Sequence, residues 1–308
     1  HLFMFIDLAR RGLLIAYIEA VGTPLKGWDI QINYGIKTGF NDAFIISTEK
    51  RNEILANCLT EDEYTRTVEL IRPILRGRDI KRYGYEWANL YLIATFPACH
   101  YDIEDYPAVK KYLLSFAEEE LRKAGYNWVA DSYLADFCKQ KLDQTGKFVE
   151  IKGERIVIGK TPEKARKKTS NMWFETQDSI SYWEDFFKPK ILWKRVGSIL
   201  RFAYNKNGAL GLDSTCFATG HKIEYLCCVL NSPMGHYLLK DSPRTGTGDL
   251  LISVQAVEPI KIPKISDEDN NTFLFNIETK QEEKINRKIF ELYDLSPDEV
   301  SYIKENFS

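Results

Sequence analysis

The residues Asn33-Tyr34-Gly35-Ile36-Lys37-Thr38-Gly39-Phe40-Asn41 run into the apolar segment Ala43-Phe44-Ile45-Ile46. The stretch offers no base, thiol or carboxylate pair, so it carries no catalytic chemistry of its own. It offers a long cation at Lys37, a hydroxyl at Thr38, an amide at Asn41 and two glycines that let a backbone come close. These are the parts of a grip on a polyanion.

Cations recur in three further runs. Residues 72–82 hold five (Arg72, Arg76, Arg78, Lys81, Arg82) against Asp79. Residues 160–168 hold five against Glu163, and 188–206 hold six, including Lys194 and Arg195, with no acid. Each run alone reads equally well as a solvated face; three in one chain favour an anionic partner. Arg76 and Arg78 point the same way on an extended backbone and have the geometry to fork onto phosphates or a guanine edge. An exposed turn with an internal Arg–Asp pair is the competing reading. Ser242-Pro243-Arg244-Thr245-Gly246-Thr247-Gly248-Asp249 adds donors at Arg244 and Thr245 on a glycine-freed backbone, as a phosphate contact or a plain surface loop would.

One constellation has catalytic types. Asp143, Glu150 and Lys152 match the acid, acid and lysine of a metal-dependent nuclease, but E-x-K is a very common pattern. His100, His221 and His236 have no serine or cysteine at triad-like spacing. The chain contains no P-loop, no G-x-G-x-x-G after a strand and no Asn/Asp-Pro-Pro-Tyr/Phe tetrapeptide. Its six cysteines form no C-x-x-C and no metal spacing. They read as reduced thiols of a cytoplasmic protein, and no metal ligand set is assigned.

The elements that must position these groups are mixed. The 308 residues carry 44% hydrophobic and 28% charged residues and a net charge of -2, ordinary for a globular chain. The tail 266–308 holds eleven acids against five bases, so the rest is net positive. Helices are predicted over 3–20, 61–71, 107–125 and 221–240 (broken at Ser232-Pro233), with two more in the tail. The Thr60 and Ser296 capping boxes mark starts. Strands are predicted over 28–34, 43–47, 91–96, 145–160 as a hairpin, 191–193, 199–204, 212–219 and 250–263. Helices and strands do not alternate strictly. The class is α+β: mixed, mainly antiparallel sheets with flanking helices and a helical C-terminal extension. Leu2–Ala20 is too charged for a membrane span. The chain starts at His1 and reads as a piece of something longer.

Gly35–Asn41 leading to Phe44-Ile45-Ile46 resembles the opening of the TaqI-like C-terminal specificity domain. This is the target recognition domain of adenine-specific type IIG restriction–modification enzymes. Further resemblance lies in Ile74-Leu75-Arg76-Gly77-Arg78-Asp79-Ile80, Lys188-Pro189-Lys190-Ile191, Leu230-Asn231-Ser232-Pro233 with Gly235-His236-Tyr237, and Arg244 to Pro259. It implies a connector over 1–22, a target-recognition-domain-like body over 23–265 with a variable middle near 130–170, and an acidic helical tail over 266–308. It further implies a piece that reads double-stranded DNA without catalysing anything. A methyltransferase domain of the same parent chain would bind S-adenosylmethionine and flip the adenine. Lys37, Thr38, Asn41, Arg76, Arg78, Lys81, Arg82, Lys194, Arg195, Arg244 and Thr245 are then the expected DNA contacts. The acidic tail is expected to face away from DNA. A nuclease at Asp143, Glu150 and Lys152, or a protein-interaction module of a defence complex, are the alternatives.

Overall fold

The computed structural model describes residues 14–123, 148–151, 154–157 and 171–307. They divide into two compact units. The first comprises His1–Gly35, Leu75–Glu86 and Glu184–Ser308; the second comprises Ile36–Ile74 and Trp87–Trp183. The α+β class holds in both.

The first unit is built on a four-stranded antiparallel sheet. Its strands run in the order Phe202–Asn205, Lys190–Lys194, Thr215–Gly220 and Ile30–Tyr34. Register sets Phe202, Trp193, Cys216 and Tyr34 in one row across it. The first three are buried with Leu226, Val229 and Leu230 of the helix Ile223–Asn231, and Tyr34 ends the row exposed at the edge. That helix is buried almost all round, as its apolar run Tyr225–Leu230 requires. Ser232 then accepts from the Gly235 amide (3.1 Å), and Pro233 opens the helix Pro233–Leu238.

Lys190 belongs to the 188–206 basic run, yet it is buried in the strand Lys190–Lys194. Its ammonium donates to the Phe186 carbonyl (2.6 Å) and the Asn205 amide oxygen (3.1 Å). A buried cation persists only with such partners.

The tail forms three helices rather than two: Asp267–Glu278, Glu282–Leu292 and Pro297–Phe307. Ser266 caps the first by accepting from the Asp269 amide (3.0 Å). Left-handed Lys280 (φ 56°) separates it from the second, so the tail holds one helix more than expected. Phe273, Ile285, Ile289, Tyr293 and Ile303 of the tail complete the first unit's core. Ser296 and Glu299 close the expected capping box. The expected strand 250–263 is also corrected. Only Leu250–Leu251 and Lys261–Ile262 are extended, because Ser253's carbonyl takes the Ala256 and Val257 amides and starts the helical turn Val254–Val257.

In the second unit, strand Leu90–Ile93 pairs antiparallel with Ile71–Leu75 and with Ile45–Ser47. The expected strand 43–47 begins instead with a helical turn, Asn41–Phe44, whose Ala43 and Phe44 amides both reach the Phe40 carbonyl. The polar helix Thr48–Ala56 has no clear apolar stripe; it starts where Ser47 accepts from the Lys50 amide (3.3 Å). Phe148–Ile151 and Glu154–Val157 pair as the expected hairpin.

Glu63 shows how the second unit is tied. Thr60 caps the helix Glu61–Leu70 as expected, accepting from the Glu63 amide. The buried Glu63 carboxylate passes over the cap residue and accepts from the Leu59 amide (2.7 Å) and from the Ala108 amide (2.8 Å). One carboxylate thus holds the N-termini of two helices. Glu63→Ala is expected to cost about 2–3 kcal/mol, because the buried Ala108 amide and the more exposed Leu59 amide lose a charged acceptor. A fall in the urea midpoint at unchanged slope checks this; an unmoved midpoint would refute it.

Among the described residues no helix is long and apolar enough to cross a membrane.

Candidate nucleic-acid interface

The rim of the first unit's sheet is organised by a four-residue turn, Leu212–Thr215. Thr215 closes it with both its amide and its hydroxyl on the Leu212 carbonyl (2.7 Å each). Ser214 sits at its corner and holds two other segments. Its hydroxyl accepts from the Gly77 amide (3.0 Å), and its carbonyl accepts from the Arg195 amide (3.0 Å). Arg195's own carbonyl accepts from Ile252 (2.8 Å), next to which Val196–Gly197 pairs with Leu250–Leu251. Segments 76–79, 194–197 and 243–252, far apart in sequence, are thereby stitched side by side. Gly77 is required at the seam: a β-carbon there would lie 2.8 Å from the Lys194 side chain.

Within this rim the cations differ in what they are free to do. Arg76 is locked. Asp79 accepts from its amide (2.8 Å), its Nε (3.0 Å) and its terminal nitrogen (2.7 Å), so the internal Arg–Asp pair is the one formed. That hydrogen bonding also raises the Arg76 pKa. Arg78, one residue on, is exposed, and Lys194 is exposed at the end of its strand. Arg244 is exposed and gives one donor to Gly248's carbonyl (2.8 Å) across its own hairpin, while the Thr245 hydroxyl meets Thr247's (2.8 Å). Gly248 turns that hairpin at φ 88°.

Arg195 lies across the ring of Tyr34, its guanidinium carbon 5.9 Å from the ring centre. Two other expected contacts are engaged elsewhere. Arg82 donates to the Asn231 carbonyl (2.7 Å) and pairs with Glu282 of the tail; Lys81 pairs with Glu86 (3.0 Å).

Lys37, Thr38 and Asn41 belong to the second unit. Thr38 is buried, and its hydroxyl accepts from the Phe40 amide (3.2 Å) and donates to Asn41's side-chain oxygen (2.5 Å). It shapes the turn before Asn41–Phe44. Lys37 is exposed, with its carbonyl accepting from Asp178 (3.4 Å). Of the two glycines in this stretch, Gly35 lies in the first unit and is packed against the Leu212–Thr215 turn.

Glu150 lies in the strand Phe148–Ile151; Asp143, Lys152 and the 160–168 basic run lie outside the described residues. Among the described residues no three His, Cys, Asp or Glu side chains are grouped to hold a metal ion. Burial pushes the Cys216 thiol up to about 12, as for an inert core thiol, and lowers the pKa of His236, whose Nδ1 meets the Phe307 carbonyl (3.0 Å). Sequence reasoning missed Ser214, because nothing local distinguishes a serine whose partner lies 137 residues away. It also missed Gln255, whose side-chain oxygen accepts from the Tyr34 hydroxyl (3.3 Å).

The rim of the antiparallel sheet thus gathers the exposed cations Arg78, Lys194 and Arg244 from three distant segments. The model of the TaqI-like C-terminal specificity domain matches residues 72–254, and the chain belongs to that family. It is a target-recognition domain of the restriction–modification class. All three rim segments fall within the matched residues; Lys37, Thr38 and Asn41 precede them.

The crystal structure of the type IIG restriction endonuclease BpuSI is similar in fold. It has a TM-score of 0.55 and 13% identity over 96% of this chain and 32% of that one. The type IIL restriction–modification enzyme MmeI, in complex with DNA, aligns at a TM-score of 0.49 and 9% identity, over 93% of this chain and 36% of that one. The chain thus spans about a third of the length of these enzymes. No curated protein matches it.

Proposed function

We propose that the first unit's rim docks this target-recognition domain on duplex DNA, with Arg78, Lys194 and Arg244 on phosphates. The single observation that supports this is the stitching of segments 76–79, 194–197 and 243–252 around Ser214 and Arg195. It collects exposed cations from three distant places, although the chain's formal net charge is -2. The tail takes Arg82 and Lys206 through Glu282 and Glu278, which leaves those two cations for structure.

On this reading Arg76, Lys81, Arg82, Thr38 and Asn41 shape loops, while Lys37 is a further exposed cation in the second unit. The parent enzyme is of type IIG. Elsewhere in its chain a methyltransferase domain binds S-adenosylmethionine and modifies adenine N6 in the cytoplasm. This chain has neither a glycine-rich cofactor strand end nor the catalytic tetrapeptide.

Fluorescence anisotropy against random duplex across a salt series tests the reading. Affinity should fall steeply with salt, by a log–log slope of about 0.9 per neutralised phosphate. Lys194→Ala should weaken binding to every sequence alike and flatten that slope by about 1. Binding that ignores salt, or no binding, overturns the proposal.

A further inference from the structure

The rim holds one cluster unlike its other cations. Tyr34 ends the core row at the sheet edge, 38% exposed. Its hydroxyl donates to the Gln255 side-chain oxygen (3.3 Å), and its ring carries the Arg195 guanidinium. Gln255 is exposed on the helical turn Val254–Val257, and Arg195 is half-buried. Among the described residues neither Arg78 nor Lys194 has an ion pair. Both are long, exposed chains that suit phosphates, where position matters little. Arg195 and Gln255 are instead pinned by a single aromatic ring.

Pinning matters because of the side-chain types. A glutamine amide matches adenine in the major groove, accepting from N6 and donating to N7; a guanidinium fork matches O6 and N7 of guanine. A hydroxyl donated to the glutamine oxygen fixes which end of the amide is the acceptor, and leaves its second lone pair and both N–H donors for a base. Arg195 makes no side-chain hydrogen bond or ion pair among the described residues, and its Nε is buried without a partner. Its orientation comes from the ring and from its backbone bonds to Ser214 and Ile252. Groups held this way lose little freedom on binding, which is what base discrimination needs.

We infer that Tyr34, Arg195 and Gln255 form a base-reading element, with Gln255 set for adenine and Arg195 for guanine. This rests on the reading of the rim as the DNA-docking surface. The test is selection from a randomised duplex pool with the full 308-residue chain, followed by titration of the selected site against single-base variants.

Gln255→Ala should relax preference at one A·T pair by about tenfold or more while leaving the salt slope unchanged. Arg195→Ala should do the same at one G·C pair. Tyr34→Phe keeps the ring and removes only the hydroxyl, so it should blunt the A·T preference and spare the G·C one. If the wild-type chain binds with a steep salt slope but selects no sequence, the base-reading element is overturned and the docking surface stands. The element is likewise overturned if the chain selects a site and Gln255→Ala weakens all duplexes uniformly. If the wild-type chain does not bind DNA, the docking reading itself fails and takes this inference with it.

Discussion

Asn231→Leu is expected to destabilise the first unit by about 2–4 kcal/mol, read as a lowered denaturation midpoint. Asn231 is fully buried. Its side-chain oxygen accepts from the Phe202 amide (3.0 Å), and its nitrogen donates to the Phe202 carbonyl (2.7 Å) and the Cys227 carbonyl (3.0 Å). Phe202 lies in an edge strand of the four-stranded sheet and Cys227 in the core helix, so one amide clips strand to helix. Leucine keeps asparagine's branching and leaves no cavity, and its bulkier methyl groups add some overpacking to the polar loss. The Phe202 amide is then stranded in an apolar core, whereas its carbonyl keeps the Tyr83 amide (2.9 Å). Asn231→Asp should be worse still: it keeps the acceptor but turns a carboxylate toward two carbonyls. A midpoint within error of wild type for the leucine variant would show the clip to be dispensable.

Gly35→Ala is expected to damage stability and binding together. A β-carbon at Gly35 would lie 2.0 Å from the Leu212 carbonyl oxygen and 2.7 Å from the Thr215 hydroxyl. The obstruction is backbone, and the strand cannot retreat without losing the bond from the Gly35 amide to the Thr215 carbonyl (3.0 Å). Overpacking against so rigid a neighbour costs about 3 kcal/mol. The turn that must give way is the one whose Ser214 holds Gly77 and Arg195. Chemical denaturation should show the loss. Anisotropy on the folded fraction should show a larger drop in DNA affinity than Lys194→Ala produces. Full affinity in a destabilised Gly35→Ala protein would uncouple the turn from the rim.

Much of the architecture was legible because it is written locally. Thr60 and Ser296 cap helices through side chains that reach only three residues, and Ser232-Pro233 breaks a helix where it stands. Period-2 runs marked Ile30–Tyr34 and the hairpin at 148–157. What was misread depends on distant partners. Lys190 looks like any other cation until Phe186 and Asn205 are folded over it. The helix Asp267–Glu278 mixes a buried Phe273 with an exposed Phe275, so its apolar face is blurred in sequence. Ala43 and Phe44 open the apolar run expected as strand 43–47, yet their amides turn back to the Phe40 carbonyl and make a helical turn. For the site, residue type alone ranked Arg76 beside Arg78, and only the three bonds to Asp79 separate them. Thr38 likewise has the chemistry of a ligand and the position of a brace.

The chain passes between its two units four times, after residues 35, 74, 86 and 183. A single genetic crossover therefore cannot exchange one unit whole. A recombination point anywhere between 87 and 183 would inherit Gly77 and Arg78 from one parent and Lys194, Arg195, Arg244 and Gln255 from the other. Chimaeras of this kind would join Gly77, Arg82 and Tyr83 from one lineage to Ser214, Asn231 and Phe202 from another, and would need all of those contacts to form. Swapping DNA preference between relatives is better attempted by transplanting the short stretches 194–197 and 243–255 together, leaving the loop before them in its native frame.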